Sequence, residues 1–247
     1  MLKKTLLISI VLLLSACSSR QYSQSSLIDS KIDIYQQTHN YVALVDLYKT
    51  QLEENDNPEL REDLAENLLK LEDPDNALFY LKSNIKEEPS GKTLFLQASA
   101  LGDLGQYQEA ISTALKALDE EPENAKTENL LGILYGHEYQ YEKARRYFNK
   151  AKLHFYDSNT IANNLAVLDI AEGKYKQAAR RLLPIYRTGQ ADEQIMANLV
   201  LSMAKEGNKE FVESVLSESH NKQEIEHIYQ SLQKVDGFSY EQVIQEQ

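Results

Sequence analysis

Apolar and small residues recur along most of the chain at intervals of three and four, the spacing that places them on one face of an α-helix. In the middle of the chain, one run of such residues is followed by a short break and then by a second run. The first run contains Leu130, Leu131, Leu134 and Tyr135, and the second contains Tyr141, Ala144, Tyr147, Phe148 and Ala151. The pattern therefore predicts pairs of amphipathic helices joined by tight turns.

The pattern of the helix pair occurs three times between residues 91 and 192, at a constant interval of 34 residues. Four columns show the repetition: Ala98, Gly132 and Ala166; Tyr107, Tyr141 and Tyr175; Ala110, Ala144 and Ala178; Ala114, Phe148 and Leu182. Gly105, Gly173 and Gly207 fall at the break between two helices, where a residue without a Cβ can adopt the positive φ of a tight turn. Repetition at a fixed period indicates a stack of similar units rather than one core wrapped by the whole chain.

One of these units carries a family resemblance. Its diagnostic residues are Leu131, Gly132, Tyr135, Tyr141, Ala144, Phe148 and Ala151. Together they resemble a tetratricopeptide repeat (TPR), a helix–turn–helix unit with this period. The resemblance implies an all-α solenoid in which only Gly or Ala fits where the paired helices cross closely. It also implies that the tyrosines of the aromatic columns pack within the fold instead of stacking on a ligand.

The repeat can be followed in both directions from the central units. Two divergent units occupy residues 25–57 and 58–90, and a sixth unit follows residue 192. After it comes an amphipathic helix whose apolar face consists of Ile225, Ile228, Leu232 and Val235. A terminal repeat would otherwise expose its apolar stacking face, so this helix is expected to cap it. We predict about six units and a capping helix over residues 27–235, followed by a tail over residues 236–247.

The first residues have the pattern of a bacterial export signal. Lys3 and Lys4 precede an apolar run over residues 6–14, and small residues follow. This run is far shorter than the roughly 20 residues that a membrane-spanning helix needs. We therefore predict a signal peptide over residues 1–16.

Leu-Ser-Ala-Cys at residues 14–17 resembles the lipobox of bacterial lipoproteins. The resemblance implies that Cys17 becomes the lipidated N-terminus after cleavage. Cys17 is the only cysteine, so it cannot form an internal disulfide, and two or more acyl chains anchor a protein stably. Ser18 and Ser19 stand where inner-membrane lipoproteins often carry aspartate, which implies the outer membrane. We predict a flexible, serine-rich tether over residues 17–26.

The charge of the chain limits its partners. It carries 26 basic and 38 acidic side chains, a formal net charge of −12 at pH 7. No basic stripe is evident in the sequence, and binding to a phosphate backbone needs clustered lysine and arginine. Nucleic acid is therefore not expected as a partner, and the acidity suits a body in the periplasm.

Two features of the sequence resemble ligand-binding sites, one for phosphate and one for a metal ion. Gly91-Lys92-Thr93 looks like the end of a phosphate-binding loop, but the required earlier glycine is replaced and a helix, not a strand, precedes it. We expect Ser90 to cap a helix there instead.

The second imitation is a possible metal site near the end of the chain. His220, Glu224 and His227 could lie along one helical face, but such a group on a charged helix is more often solvated surface than a metal site. We therefore predict no catalytic residue, no metal and no cofactor.

The inner face of a TPR stack is formed by the second, fifth, ninth and twelfth positions of each first helix. Here these positions predict a groove with an acidic half, formed by Asp29, Asp33, Glu62 and Glu66. Its apolar half is formed by Ile133, Val167, Leu201 and Ile170, together with Asn163 and Asn129. Apolar residues replace the asparagines of the TPR clamp for a terminal carboxylate, so that ligand is not expected. An apolar groove suits an amphipathic helix or hydrophobic strand of a partner, and the chain's own tail is the alternative occupant. We expect the groove residues to point largely to solvent.

A closer resemblance lies in residues 163–207. It consists of Asn163, Asn164, Leu165, Ala166, Gly173, Ala178 and Leu183, then Asn198, Leu199, Ala204 and Gly207. This segment resembles TadD, the TPR lipoprotein of the tight-adherence (Flp pilus) system. The resemblance implies a non-catalytic, pilotin-like role in which the lipoprotein helps an outer-membrane secretin to reach, assemble in or remain in the membrane. The alternatives are a type IV pilus pilotin, another envelope-assembly TPR lipoprotein and, more remotely, a periplasmic metal-dependent enzyme.

Overall fold

The computed structural model describes residues 26–234 and contains, within that range, thirteen α-helices and no β-strand. Helix α1 is described over residues 26–37. The others are α2 (Tyr41–Glu54), α3 (Pro58–Leu69), α4 (Pro74–Lys86), α5 (Gly91–Asp103), α6 (Tyr107–Glu120), α7 (Ala125–His137), α8 (Tyr141–Leu153), α9 (Ser158–Ala171), α10 (Tyr175–Arg187), α11 (Glu193–Lys205), α12 (Lys209–Leu216) and α13 (Lys222–Lys234). The predicted signal peptide, Cys17 and the predicted tail lie outside the described residues.

The chain forms two compact segments, which are described separately. Helices α1–α4 form the N-terminal segment, whose described residues are 26–88 and in which α3 packs against α2 and α4. Helices α5–α13 form the C-terminal segment, whose described residues are 89–234. There the pairs α5/α6, α7/α8 and α9/α10 pack internally, and the second helix of each pair also packs against the first helix of the next. Six helix pairs followed by α13 confirm the predicted TPR solenoid with its C-terminal capping helix.

The turn inside each helix pair repeats in its backbone conformation. One residue of each turn has a positive φ: His39 (52°), Glu72 (57°), Gly105 (73°), Tyr139 (56°), Gly173 (72°) and Gly207 (79°). At the end of α5 the Gln106 N–H donates to Leu101 O (2.8 Å) and the Gly105 N–H to Gly102 O (2.9 Å), which closes the helix as a Schellman motif does. The predicted glycine turns are confirmed, and Tyr139 shows that a residue with a side chain fills the same position in another unit.

Side-chain caps start most of the helices. Ser90 Oγ accepts a hydrogen bond from the Thr93 N–H (2.9 Å), so the residues that imitate a phosphate-binding loop are the first turn of α5. The predicted cap at Ser90 is therefore confirmed. The other side chains that accept at a helix start include Asn40, Asn57, Asp73, Asn124, Asp157, Asp192 and Asn208. These caps satisfy backbone donors that have no partner within their own helix.

The small-residue columns are the closest contacts of the core. Ala98, Ala166, Ala144 and Phe148 are fully buried. A Cβ placed on Gly132 would lie 2.4 Å from ring atoms of Phe148, a distance that no real Cβ contact tolerates. The glycine therefore leaves room for the phenylalanine of the opposite helix, as the close crossing predicted from the repeat requires.

Helix α13 covers the end of the repeat array. Ile225 is buried against Val200, Ala204 and Val212, and Leu232 packs against the same cluster. Because these partners belong to α11 and α12, α13 shields their apolar faces from water. Val235, the last predicted member of its apolar face, lies outside the described residues.

We expect Gly132→Ala to lower the free energy of unfolding by about 1–3 kcal/mol, because the added methyl group meets a fully buried ring. Alanine is favoured over glycine in a helix by only about 1 kcal/mol, so the clash should determine the sign. Urea unfolding of both proteins measures the difference.

Gly132→Ala/Phe148→Leu is the matched control, because Ala166 and Leu182 occupy the same two columns in the next repeat. It should recover part of the loss. Equal stability of Gly132→Ala and the parent protein would show that the assigned helix crossing is wrong.

Candidate partner-binding surface

The helices that carry the apolar half of the predicted groove are joined by hydrogen bonds between buried and half-buried side-chain amides. Asn164 Nδ2 in α9 donates to Asn129 Oδ1 in α7, and Asn198 Nδ2 in α11 donates to Asn163 Oδ1 in α9, both at 2.9 Å. Each bond connects residues 35 positions apart in consecutive repeats. The same pair of positions therefore links α7 to α9 and α9 to α11.

We call this series of side-chain hydrogen bonds the amide ladder. The asparagines use their amide groups to bind one another and neighbouring residues within it. Asn163 Nδ2 also donates to Gln194 Oε1 (3.0 Å), and Asn163 is 2% exposed. Asn129 and Asn198 are each 6% exposed. Asn129 and Asn163, predicted to face a partner, thus contact neighbouring repeats. The sequence signal for this role was present, since asparagines recur at intervals of 34 and 35 in the first helices.

The apolar groove residues are also less accessible than expected. Val167 is 3% exposed, Leu201 6% and Ile170 1%, whereas Ile133 is half-buried. The expectation that they point largely to solvent is therefore wrong for the first three. The reason is that α9 packs against both α7 and α11, which leaves little open space one turn beyond the asparagines. A charge introduced at Val167 would be buried, so Val167→Glu would test the packing and not a partner.

The acidic half of the predicted groove lies in the N-terminal segment. Asp29 and Asp33 are exposed on α1, and Glu66 is half-buried with Lys70 Nζ at 3.6 Å. Glu62 is buried, so the prediction that it faces a partner is wrong. Burial, together with the negative charges of Asp63 and Glu66, raises the pKa of Tyr48 to about 12. This tyrosine therefore stays neutral and packs within the fold.

A buried carboxylate that the sequence did not reveal ties α9 to the helices on either side. Asp169 is fully buried, with Arg145 Nη1 of α8 at 2.8 Å from its Oδ1. Arg181 Nε of α10 donates to its Oδ2 at 2.6 Å. Arg145 also contacts Glu172, whose Oε1 lies 2.9 Å from Lys174 Nζ. Removal of one arginine would leave a poorly compensated buried charge, so the cluster fixes the register of three helices.

Each of the two segments contains an open pocket. The pocket of the N-terminal segment has about 450 Å³ and mixed charges, and it is lined by Lys49, Leu52, Glu53, Asp56, Arg61, Phe79, Tyr80, Lys82 and Ser83. The pocket of the C-terminal segment has about 300 Å³ and is lined by Tyr135, Lys143, Arg146, Tyr147 and Lys150. Tyr135 packs as predicted, with 8% exposure, but also forms a pocket wall.

The charge of α8 corrects the sequence-based view that the chain lacks a basic cluster. Lys143, Arg146, Lys150 and Lys152 are all exposed on this helix, whose only acidic residue is Glu142. The excess of acidic residues elsewhere in the chain had concealed this local reversal of charge.

The possible metal ligands near the C-terminus do not come together. Glu224 Oε2 accepts a hydrogen bond from the Asn221 N–H (2.8 Å), and His220 Nδ1 lies 2.8 Å from Ser219 Oγ. Among residues 26–234, no group of three or more His, Cys, Asp or Glu residues could hold a metal ion. In the same range, no helix combines the length and the apolar character that crossing a bilayer requires.

The first prediction from this surface concerns the amide ladder. Asn163→Ala removes two side-chain hydrogen bonds, one buried and one half-buried, and leaves Asn198 Nδ2 without its acceptor, so we expect a loss of about 1–3 kcal/mol. Asn159→Ala is the control in the same helix, because Asn159 makes only an exposed 3.4 Å contact with Gln190, and it should change stability by less than about 0.5 kcal/mol. Similar unfolding midpoints for the two variants would contradict a structural role for the ladder.

The second prediction concerns pH. Burial alone would raise the pKa of Glu172, but hydrogen bonds from Lys174 and Arg145 outweigh it and hold this pKa below its usual value. The stabilisation that ionised Glu172 gives the folded protein is therefore fully present above the pKa that this carboxyl group has in the unfolded chain. It is lost as the pH falls through the lower pKa of the same group in the folded protein. Glu172→Gln should be less stable than the parent at neutral pH, and the difference should vanish in acid.

Urea unfolding across this pH range measures the Glu172 effect. Glu120→Gln, at an exposed position of α6, is the control for a general loss of negative charge. A difference between Glu172→Gln and the parent that is independent of pH would contradict the assigned ion pairs.

Comparison with known proteins identifies the fold. No protein-family model matches the chain, and no curated protein matches it. A thermophilic TPR protein of Thermus thermophilus is similar in structure, with a TM-score of 0.61 and 22% identity over 70% of this chain and 94% of that one. A TPR protein of Parabacteroides merdae gives 0.59 and 18%, over 80% of this chain and 81% of that one.

PilF of Pseudomonas aeruginosa is also similar in structure. Its TM-score is 0.62 at 16% identity, over 83% of this chain and 97% of PilF. At these identities the likeness concerns the fold. The chain therefore has the fold of TPR proteins.

Proposed function

We propose that this chain is an outer-membrane lipoprotein that acts as a pilotin-like scaffold for a secretin in Flp (tight-adherence) pilus assembly. The observation that carries the proposal is the order of its parts: a segment that resembles a lipobox and contains the only cysteine of the chain precedes an array of TPR units. A lipid at Cys17 holds the protein at a membrane, and the repeats offer a surface to another protein. Such a molecule brings its partner to the membrane without catalysing a reaction.

The tight-adherence assignment depends on the resemblance in residues 163–207. Three asparagines of that segment, Asn163, Asn164 and Asn198, belong to the amide ladder, together with Asn129. The resemblance therefore depends partly on asparagines that join consecutive repeats and not on residues that contact a partner. The partner must be identified by experiment. The likeness in fold to PilF supports a pilus-related role for the chain and keeps a type IV pilus pilotin as the second candidate.

A non-catalytic role agrees with the surroundings of the buried acidic groups. Asp169 is held by Arg145 and Arg181, and Glu128 Oε2 lies 2.6 Å from His154 Nδ1. Each of these acidic groups faces a basic side chain of a neighbouring element instead of a nucleophile or an open pocket. We therefore assign them to the cohesion of the fold, and metal analysis of purified protein tests the remote alternative of a metal-dependent enzyme.

The anchor is tested with Cys17→Ser. We expect a folded protein that no longer fractionates with the outer membrane and no longer incorporates labelled palmitate, because lipid attachment requires the cysteine thiol. Ser18→Ala keeps the thiol and should behave as the parent. Recovery of Cys17→Ser in the outer membrane after a high-salt wash would refute lipid anchoring.

The partner is tested by crosslinking in intact cells, followed by purification of the full-length lipoprotein from membranes. We expect a secretin among the crosslinked proteins, and its recovery should fall with Cys17→Ser because the two proteins no longer share a membrane. Crosslinking to other envelope proteins, with no secretin, would contradict the proposed pathway.

A further inference from the structure

The pocket of the C-terminal segment is built from two tyrosines and three cations. The rings of Tyr135 in α7 and Tyr147 in α8 are nearly parallel, with centroids 5.4 Å apart and an interplanar angle of 12°. Lys143 Nζ lies 5.0 Å from the centroid of Tyr135, and Lys150 Nζ lies 5.3 Å from that of Tyr147. Arg146 lies between these lysines in sequence and completes the lining. We call this site the Tyr–Lys pocket.

Within the described part of the chain, no carboxylate forms an ion pair with a cation of the Tyr–Lys pocket. Neither lysine has a carboxylate partner there, and Arg146 Nε donates to the backbone oxygen of Glu142 at 3.4 Å. Burial raises the pKa values of Tyr135 and Tyr147, so both rings remain neutral. In a chain with a net charge of −12, three neighbouring exposed cations form a local positive field that suits an anionic ligand.

The cations follow one another along α8, an arrangement that favours an extended anion. Lys143 and Lys150 are seven residues apart on α8, which separates their backbone positions by about 10 Å along the helix axis. A single phosphate would need the cations to converge on one point. Carboxylates two or three residues apart on an extended peptide span about 7–10 Å and match a row of cations.

An apolar contact adjoins the row of cations. Leu153 is 71% exposed and follows Lys150 by three residues, so both lie on the same side of α8. A bilayer is a less suitable ligand, because the acidic remainder of the protein would be repelled by anionic headgroups. A peptide can place its carboxylates in the pocket without bringing a charged surface towards the rest of the chain.

We propose that the Tyr–Lys pocket and Leu153 bind an extended acidic segment of a partner protein, with two or more carboxylates next to an apolar side chain. This inference rests on the proposed partner-binding function and supplies the chemistry of the segment. It differs from the predicted inner groove, since none of its residues belongs to that groove. The carboxylates contact Lys143, Arg146 and Lys150, and the apolar side chain contacts Leu153.

The test uses the full-length lipoprotein in nonionic detergent and a fluorescent peptide of alternating glutamate and serine that ends in leucine. We expect binding that weakens as salt is added, because the contacting charges are exposed to solvent. Lys143→Gln/Lys150→Gln should raise the dissociation constant about tenfold, a change typical of the loss of two charge contacts at an interface. Circular dichroism should show unchanged helical content, since both side chains are exposed.

Lys152→Gln/Lys176→Gln is the matched control. Both residues are exposed, neither lines the pocket, and the net charge changes by the same amount. This variant should bind the peptide within about twofold of the parent, because only long-range attraction is altered. Leu153→Ser should weaken binding of the leucine peptide but not of a peptide with serine in that place.

Three results would overturn the inference: no peptide binding, equal losses in the pocket and control variants, or binding to phosphatidylglycerol vesicles alone that requires Lys143 and Lys150. The last result would identify a membrane contact instead of a peptide site. The crosslinking experiment tests the proposed pathway separately from the peptide site. If the peptide binds as expected and no secretin is recovered with the parent protein, the pocket inference stands and the proposed pathway is wrong.

Discussion

The closest approach between paired helices is the constraint on which the rest of this structure depends. At Gly132 the first helix of a repeat leaves no room for a methyl group, because the buried ring of Phe148 in the second helix occupies it. Helices that approach so closely need a small residue at the crossing, which is why Ala98 and Ala166 share the column of Gly132 in the three central repeats. The constant interval between these residues is therefore a consequence of packing.

The features that the sequence predicted well are those determined within one repeat. The helix pair, the cap at Ser90 and the turn at Gly105 depend on nearby residues, and the structure confirms each of them. The exposure of Val167 and Leu201 depends on how consecutive repeats pack, which a column of residues does not specify. Both positions were placed on the correct helices but assigned the wrong environment.

Charge was the least predictable property, because it depends on contacts between distant residues. Asp169 resembles any other acidic residue in the sequence, yet it is fully buried between two arginines from different helices. The basic character of α8 was similarly hidden by the net charge of the whole chain. Summed charge describes long-range attraction, whereas a binding site depends on the few groups that share one surface.

The packing order explains why a binding surface is better sought on a second helix than on the first helices of the C-terminal segment. Helix α9 packs against α7, α8, α10 and α11, and this enclosure buries both its asparagines and its apolar residues. Within the described residues, α8 packs against α7 and α9 alone, so one side of it stays open to solvent. That side carries Lys143, Arg146 and Lys150 beside the stacked tyrosines. In this chain the first helices hold the repeats together, whereas α8, a second helix, leaves a row of cations open to solvent, and we propose that a partner is recognised there.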